Sequence, residues 1–337
     1  MEMETFCLED TLLNDKRGGL IELEKVSPAK EAPSESPKKI CAVGIAEFLK
    51  HEFPPRENIL APWLPTQGLC MIHAPRGIGK TFVALNIAFA VSTGDVFLRW
   101  QAPKARGVLY LDGELPAVVI QERFSRIITS ADKEPTASLK IITPDLQSSG
   151  MPDLATIEGQ KDVEPHLEDI SLLIVDNVST LCRAGRENEA ESWLPVQEWA
   201  LRLRSRGISV VFIHHAGKDG NQRGTSRRED ILDTVINLSR PGDYSPEEGA
   251  RFEVHFKKSR GIYGDDVKPF EAKLITGPDG KHLWGMKDLE ESLTEKVANL
   301  LNDGIPQNEI ADLLKVSKGT VSKHKQKAHA LGLIRAK

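Results

Sequence analysis

The hydrophobic positions of this chain fall mostly into short unbroken runs. LCMIHA, GVLYLDG, LKIIT, SLLIVDN, SVVFIHH and TVINLSR carry apolar residues at successive positions, the pattern of strands covered on both faces, as in a parallel sheet. RFEVHFKK and the stretch around Leu274 read differently, and an antiparallel edge is predicted near Val254 and Leu274. Segments of helical spacing separate the runs, so residues 41–287 predict an α/β domain with a mainly parallel sheet. From 291 to 337 the spacing is helical throughout. TEKVANLLNDG is one helix stopped by Gly304, IPQNEIADLLK a second that starts after Pro306, and KGTVSKHKQKAHALG a third capped by Ser317. The two short helices around Lys315, Val316 and Ser317 match a helix-turn-helix, with Ile310, Leu313, Val316, Val321 and Leu331 as its predicted small core. Residues 1–40 show neither pattern. Their nine acids, six bases and the run VSPAKEAPSESPKK leave too little apolar area to offset ordering entropy, so a flexible tail is expected there.

Composition narrows the class. A chain of 337 residues, 40% hydrophobic, can bury a substantial core and has room for about two domains. No apolar run approaches the roughly 20 residues of a membrane span, and the first residues lack the apolar centre of a signal peptide. A cytoplasmic protein with no membrane partner is expected. The four cysteines, Cys7, Cys41, Cys70 and Cys182, are scattered without a C-x-x-C pair, which indicates neither a zinc site nor a disulfide framework. The net charge of -5 argues against a wholly nucleic-acid-coated surface but allows a local basic patch.

The chemistry begins at residues 74–81, APRGIGKT, which fit A-x-x-x-x-G-K-T between an apolar strand and a helical segment. A phosphate must be surrounded by backbone N–H groups, which suits Gly77 and Gly79 at the tightest part of the turn. Lys80 supplies a point charge and Thr81 a hydroxyl for Mg²⁺ at the positive end of a helix. Ala74, Pro75, Arg76 and Ile78 complete this candidate ATP loop, with Ala74 where the usual pattern has its first glycine. The run LLIVD ends in Asp176, a second candidate Mg²⁺ contact, since a carboxylate at the carboxyl edge of a parallel sheet faces the ligand crevice. YLDGE places Glu114 as candidate general base for the attacking water, with Asp112 as the alternative.

The order of Walker A loop, YLDGE, LLIVD, FIHH, then QRGTSRREDILDTVI and FKKSRG resembles the RecA-like hexameric ATPases, in particular the plasmid RepA-type replicative helicases, AAA-type ATPases of mobile elements. The resemblance covers roughly residues 46–284. It implies that His214 senses the γ-phosphate at its strand end, and that Lys258 and Arg260 form the pair such ATPases project across a subunit boundary. It implies further that the basic, glycine-containing segment with Arg223, Arg227 and Arg228 contacts single-stranded DNA in a central channel, within a homo-oligomer, a hexamer by family likeness. Independently, residues 315–337 carry seven bases and no acid. A recognition helix with Thr320, Ser322, Lys323 and Lys325 outward would suit duplex DNA. The expectation is a RecA-like P-loop ATPase core, residues 41–287, with a C-terminal helix-turn-helix at 291–337. It would use ATP and Mg²⁺ to move or unwind DNA in replication of a plasmid or mobile element. The alternatives are a DNA-binding regulator whose oligomerisation ATP controls and, more weakly, a P-loop small-molecule kinase.

Overall fold

The computed structural model describes residues 40–183, 193–215, 229–289 and 293–334. The segment with Arg223, Arg227 and Arg228, and nearly all of the expected tail, lie outside the described residues. Two compact units divide between Pro54 and Pro55. Among its described residues the first holds the short helix α1 (Ile45–Phe48), none of whose side chains is buried.

The second unit begins with a hairpin of β1 (Asn58–Leu60) and β2 (Leu64–Pro65), followed by β3 (Leu69–Ala74) and α2 (Lys80–Thr93). Next come the strand pair β4 (Val96–Phe97) and β5 (Trp100–Gln101), then β6 (Val108–Asp112), α3 (Ala117–Ala131), β7 (Leu139–Ile142) and α4 (Ile157–Val163). The chain continues through β8 (Leu172–Asp176), α5 (Val178–Leu181), α6 (Leu194–Ser205) and β9 (Ser209–His215). It then adds β10 (Thr234–Ser239), β11 (Arg251–Ser259), β12 (Phe270–Thr276) and β13 (His282–Asp288). Nine of these strands form one sheet in the order β13, β12, β11, β10, β3, β9, β8, β6, β7. Neighbours from β10 to β7 pair in parallel, and β11, β12 and β13 continue the sheet antiparallel.

Alternation along each strand sorts the core into two layers. Cys70, Ile72 and Ala74 of β3 pack with Val83, Ala84 and Ile87 of α2 and with Ile120, Phe124 and Ile127 of α3. Leu69 and Met71 face the other way, toward Val163 of α4 and Val196, Trp199 and Leu203 of α6. The i, i+4, i+7 spacing in α3 and the i+3, i+4, i+7 spacing in α6 give each a single buried stripe. Helix α2 is apolar nearly all round because the sheet covers one side and Trp284 of β13 reaches Phe82 on another, ring centroids 6.0 Å apart. The parallel strands all run the same way, so their carboxyl ends share one edge, where ligands bind in open α/β sheets.

At the C-terminus α7 (Leu293–Asn302), α8 (Gln307–Leu313) and α9 (Lys318–Ala330) enclose a small core of Val297, Ile310, Ala311 and Val321, lined by Leu300, Leu314 and Val316. Ser317 caps α9 by accepting the Thr320 N–H at 3.0 Å. Two expected core residues are misplaced: Leu313 is 61% exposed and Leu331 60% exposed. Ile310, Ala311 and Leu314 define the inward stripe of α8, which rotates Leu313 off it, and Leu331 lies at the C-cap of α9, beyond its last turn.

Candidate active site

Ala74 ends β3 with its methyl group in the core, fully buried, so the first loop position needs no glycine here. The chain then turns through Gly77 (φ 75°) and Gly79 (φ 105°), the latter forming the N-cap of α2. Both angles are in the left-handed region that side chains resist. Ile78 packs beneath the turn while Arg76 stays exposed, and the free amides at the head of α2 make an anion cradle. Lys80 Nζ donates to the carbonyls of Ala74 (3.0 Å) and Pro75 (2.8 Å). Burial pulls its ammonium down to about 8, against the opposing effect of Asp176 and Glu114. Both carboxylates are thus close enough to act on the lysine that would meet a phosphate.

Asp112 and Asp176 end neighbouring strands as register partners. Asp176 accepts a hydrogen bond from the Tyr110 hydroxyl at 2.7 Å and another from the Thr81 hydroxyl, yet burial pushes it up to about 6. A buried carboxylate joined to a hydroxyl beside the phosphate cradle is a hard-oxygen pair that fits Mg²⁺. No group of three or more His, Cys, Asp or Glu able to hold a metal occurs among the described residues. A cation completed by phosphate oxygens and water needs none.

Asp112 is committed elsewhere. Its Oδ1 accepts the N–H groups of Glu114 (2.9 Å) and Leu115 (2.6 Å), and burial raises its carboxyl. Between the two acids, Gly113 passes so close to α5 that a Cβ would stand 2.4 Å from Thr180 Oγ1. Glu114 is turned outward, its side chain 56% exposed. Its Oε2 accepts from Asn177 Nδ2 at 2.7 Å and lies 3.8 Å from His215 Nε2. Of the two candidate bases, only Glu114 keeps both oxygens clear of backbone N–H groups, since Asp112 spends its Oδ1 on two of them.

The histidine expectation shifts by one residue. His214 is fully buried on the α4 and α6 face, in register with His73, so alternation turns it away from the layer that holds α2 and Asp176. His215 is the strand-end histidine on the nucleotide side, level with Ala74 and near Glu114. His73 receives the Asn237 side-chain amide at 3.3 Å on Nδ1, and burial holds its imidazole down at about 4.

Lys258 and Arg260 sit at the opposite edge of the sheet. Ser259 pairs with Thr234, which is level with Cys70, and the four residues from there to Ala74 span about 13 Å. Lys258 donates to the Glu229 carbonyl and Arg260 to that of Asp230 at 2.8 Å. Neither can serve the phosphate loop of its own chain. In α9 Ser322 and Lys323 are exposed, whereas Thr320 and Lys325 are half-buried, with the Thr320 hydroxyl 2.8 Å from Ser317 Oγ.

Sequence reasoning missed Asn177, His215 and a pair at the end of β10. Arg240 donates to the Gly77 carbonyl at 3.2 Å, and its guanidinium lies 4.1 Å from the ring centroid of Tyr244, a planar stack beside the phosphate loop. Strand alternation and the N-cap pattern NVST could have drawn attention to the first two. Nothing local in the sequence marks the third.

Residues 34–221 match the AAA domain family, more than half of the chain. The chain belongs to that family. Its phosphate loop and largely parallel sheet are those of a P-loop nucleotide-binding core. It is 26% identical over 238 residues to the DNA repair protein RadA of Campylobacter jejuni, a match covering 67% of this chain and 47% of that protein. The chain thus spans about half the length of this curated relative. Among solved structures it is similar to the KaiC-like protein PH0186 of Pyrococcus horikoshii OT3, with 14% identity, 65% of this chain, 90% of that one and a TM-score of 0.43. Among the described residues no helix is long and apolar enough to cross a membrane.

Proposed function

We propose that this AAA-family ATPase is a DNA motor, a ring-forming helicase or translocase in which Glu114 activates water against the γ-phosphate of ATP. The observation that carries the reading is the convergence of Lys80, Thr81, Asp176 and Glu114 on one sheet edge, with β9 leaving that edge directly into the basic segment 216–228. Lys80 and the loop amides bind and orient the phosphates. Thr81 and Asp176 would hold Mg²⁺, which neutralises charge building on the phosphate oxygens. Glu114 takes the proton of the attacking water, and His215 stands where it can feel the change in charge. Arg260, too far from its own loop, suits a neighbour's γ-phosphate, because its planar fork can meet two oxygens at once.

The DNA partner is supported by the basic segment, by the helix-turn-helix reading of α8 and α9, and by a relative named for DNA repair. Likeness to plasmid RepA-type helicases supports replication of a plasmid or mobile element as the process. The test is phosphate release with Mg-ATP, with and without single-stranded DNA. Wild-type turnover should rise with the strand, and Glu114→Gln should bind nucleotide normally yet turn over about 100-fold more slowly. Wild-type turnover in Glu114→Gln would rule out this base.

A further inference from the structure

We propose that Asn177 is the positioning residue for the Glu114 carboxylate, holding one oxygen so that the other is presented to the attacking water. The inference rests on Glu114 being the general base. Asn177 follows Asp176 directly and is only 2% exposed. Its side chain is used at both ends. Oδ1 accepts the Thr180 N–H at 3.3 Å and so caps α5, while Nδ2 donates to Glu114 Oε2 at 2.7 Å. The cap fixes which way the amide faces: with its acceptor on α5, its donor must point at the carboxylate.

That arrangement meets three needs of a base. A long, largely exposed glutamate has many rotamers, and an anchored donor removes most of them. An amide N–H donates to the carboxylate and cannot itself take the proton. Occupying Oε2 leaves Oε1 for water, in a site whose lysine already feels both Glu114 and Asp176. The anchor is also well chosen. The Gly113 N–H donates to the Asp176 carbonyl at 2.8 Å, so the turn that carries Glu114 and the strand end that carries Asn177 are tied to each other. Base and metal-binding carboxylate therefore keep a fixed separation.

The residue's two jobs can be told apart. Asn177→Asp and Asn177→Ser both retain a good N-cap, but neither offers Glu114 an N–H donor. If the side chain mattered only as a cap, both variants would turn over like wild type. As the positioning residue it should be costly to lose: kcat falling about 10- to 100-fold, as for a modest misplacement of a catalytic group, with KM for Mg-ATP within about threefold. Combining Asn177→Asp with Glu114→Gln should lower kcat less than about threefold below Glu114→Gln alone, because the carboxylate being positioned is already gone. Thermal unfolding of each protein shows that the fold is retained. Wild-type kcat in both cap-retaining variants, beside a slow Glu114→Gln, overturns the positioning role alone. So does a full multiplicative loss in the double variant. Wild-type turnover in Glu114→Gln would remove the general base and this inference with it.

Discussion

Ionising Asp176 in the folded chain works against the burial around it, and this has a measurable cost. Its carboxyl is raised from 3.8 to about 6 in the folded protein, so the unfolded chain releases the proton first. The group's contribution to stability is therefore fully present below pH ~4 and lost as pH rises through about 6, on the order of 3 kcal/mol in all. Asp176→Asn, measured by thermal unfolding at pH 7.5 without Mg²⁺, should unfold several degrees higher than wild type, while Mg-dependent turnover drops about 100-fold or more. An unchanged or lower midpoint would mean that the hydrogen bonds from Tyr110 and Thr81 outweigh the burial of charge. At this scale much of the candidate site was legible. Asp176 and Glu114 stand at or just past the ends of strands that apolar runs announce, Lys80 and Thr81 head the helix after another, and their chemistry is specific. His215 and Asn177 were only partly legible: alternation along SVVFIHH and the N-cap pattern NVST mark them, but which strand-end neighbour faces the phosphates follows from which face the helices cover, and one sequence does not fix that. His214 is turned to the other face of the sheet.

Among the elements, the strands with unbroken apolar runs were read nearly to the residue. LCMIHA is β3, and LLIVD lies within its predicted segment as β8. Burial on both faces leaves no other home for such a run. The small pairs β1–β2 and β4–β5 and the final strand β13 went unseen. They are two to seven residues long and depend on partners for their shape. The helices α7, α8 and α9 were delimited by Gly304, Pro306 and Ser317, yet their core was only half anticipated, since short helices choose their inward face by packing. Their separate small core motivates a deletion. Removing residues 291–337 should weaken binding to duplex DNA in a mobility-shift assay, because a groove is what a basic third helix fits. Single-strand-stimulated phosphate release should remain within about twofold, provided circular dichroism shows the core intact. Joint loss of both activities in a folded truncation would assign these helices to the subunit interface instead.

At the scale of the whole molecule, the candidate site residues divide between two edges of the sheet. Phosphate loop, carboxylates and His215 occupy the carboxyl edge of the sheet, and Lys258 and Arg260 the opposite one. Under the proposal that Arg260 completes the site, one edge meets the other edge of a second copy. Mixed Arg260→Ala and Lys80→Ala subunits should therefore recover phosphate release that neither shows alone, since some boundaries would pair an intact loop with an intact arginine. No recovery from subunits shown to mix would leave Arg260 a structural residue bound to the Asp230 carbonyl. Strand displacement on a fluorescent forked duplex, with Mg-ATP, tests the motor most directly. Wild-type protein should separate the strands, and Glu114→Gln should bind the fork and leave it closed. Wild-type protein that binds the fork and hydrolyses ATP without separating it or moving along it would contradict the motor, and would point to a DNA-binding regulator controlled by ATP.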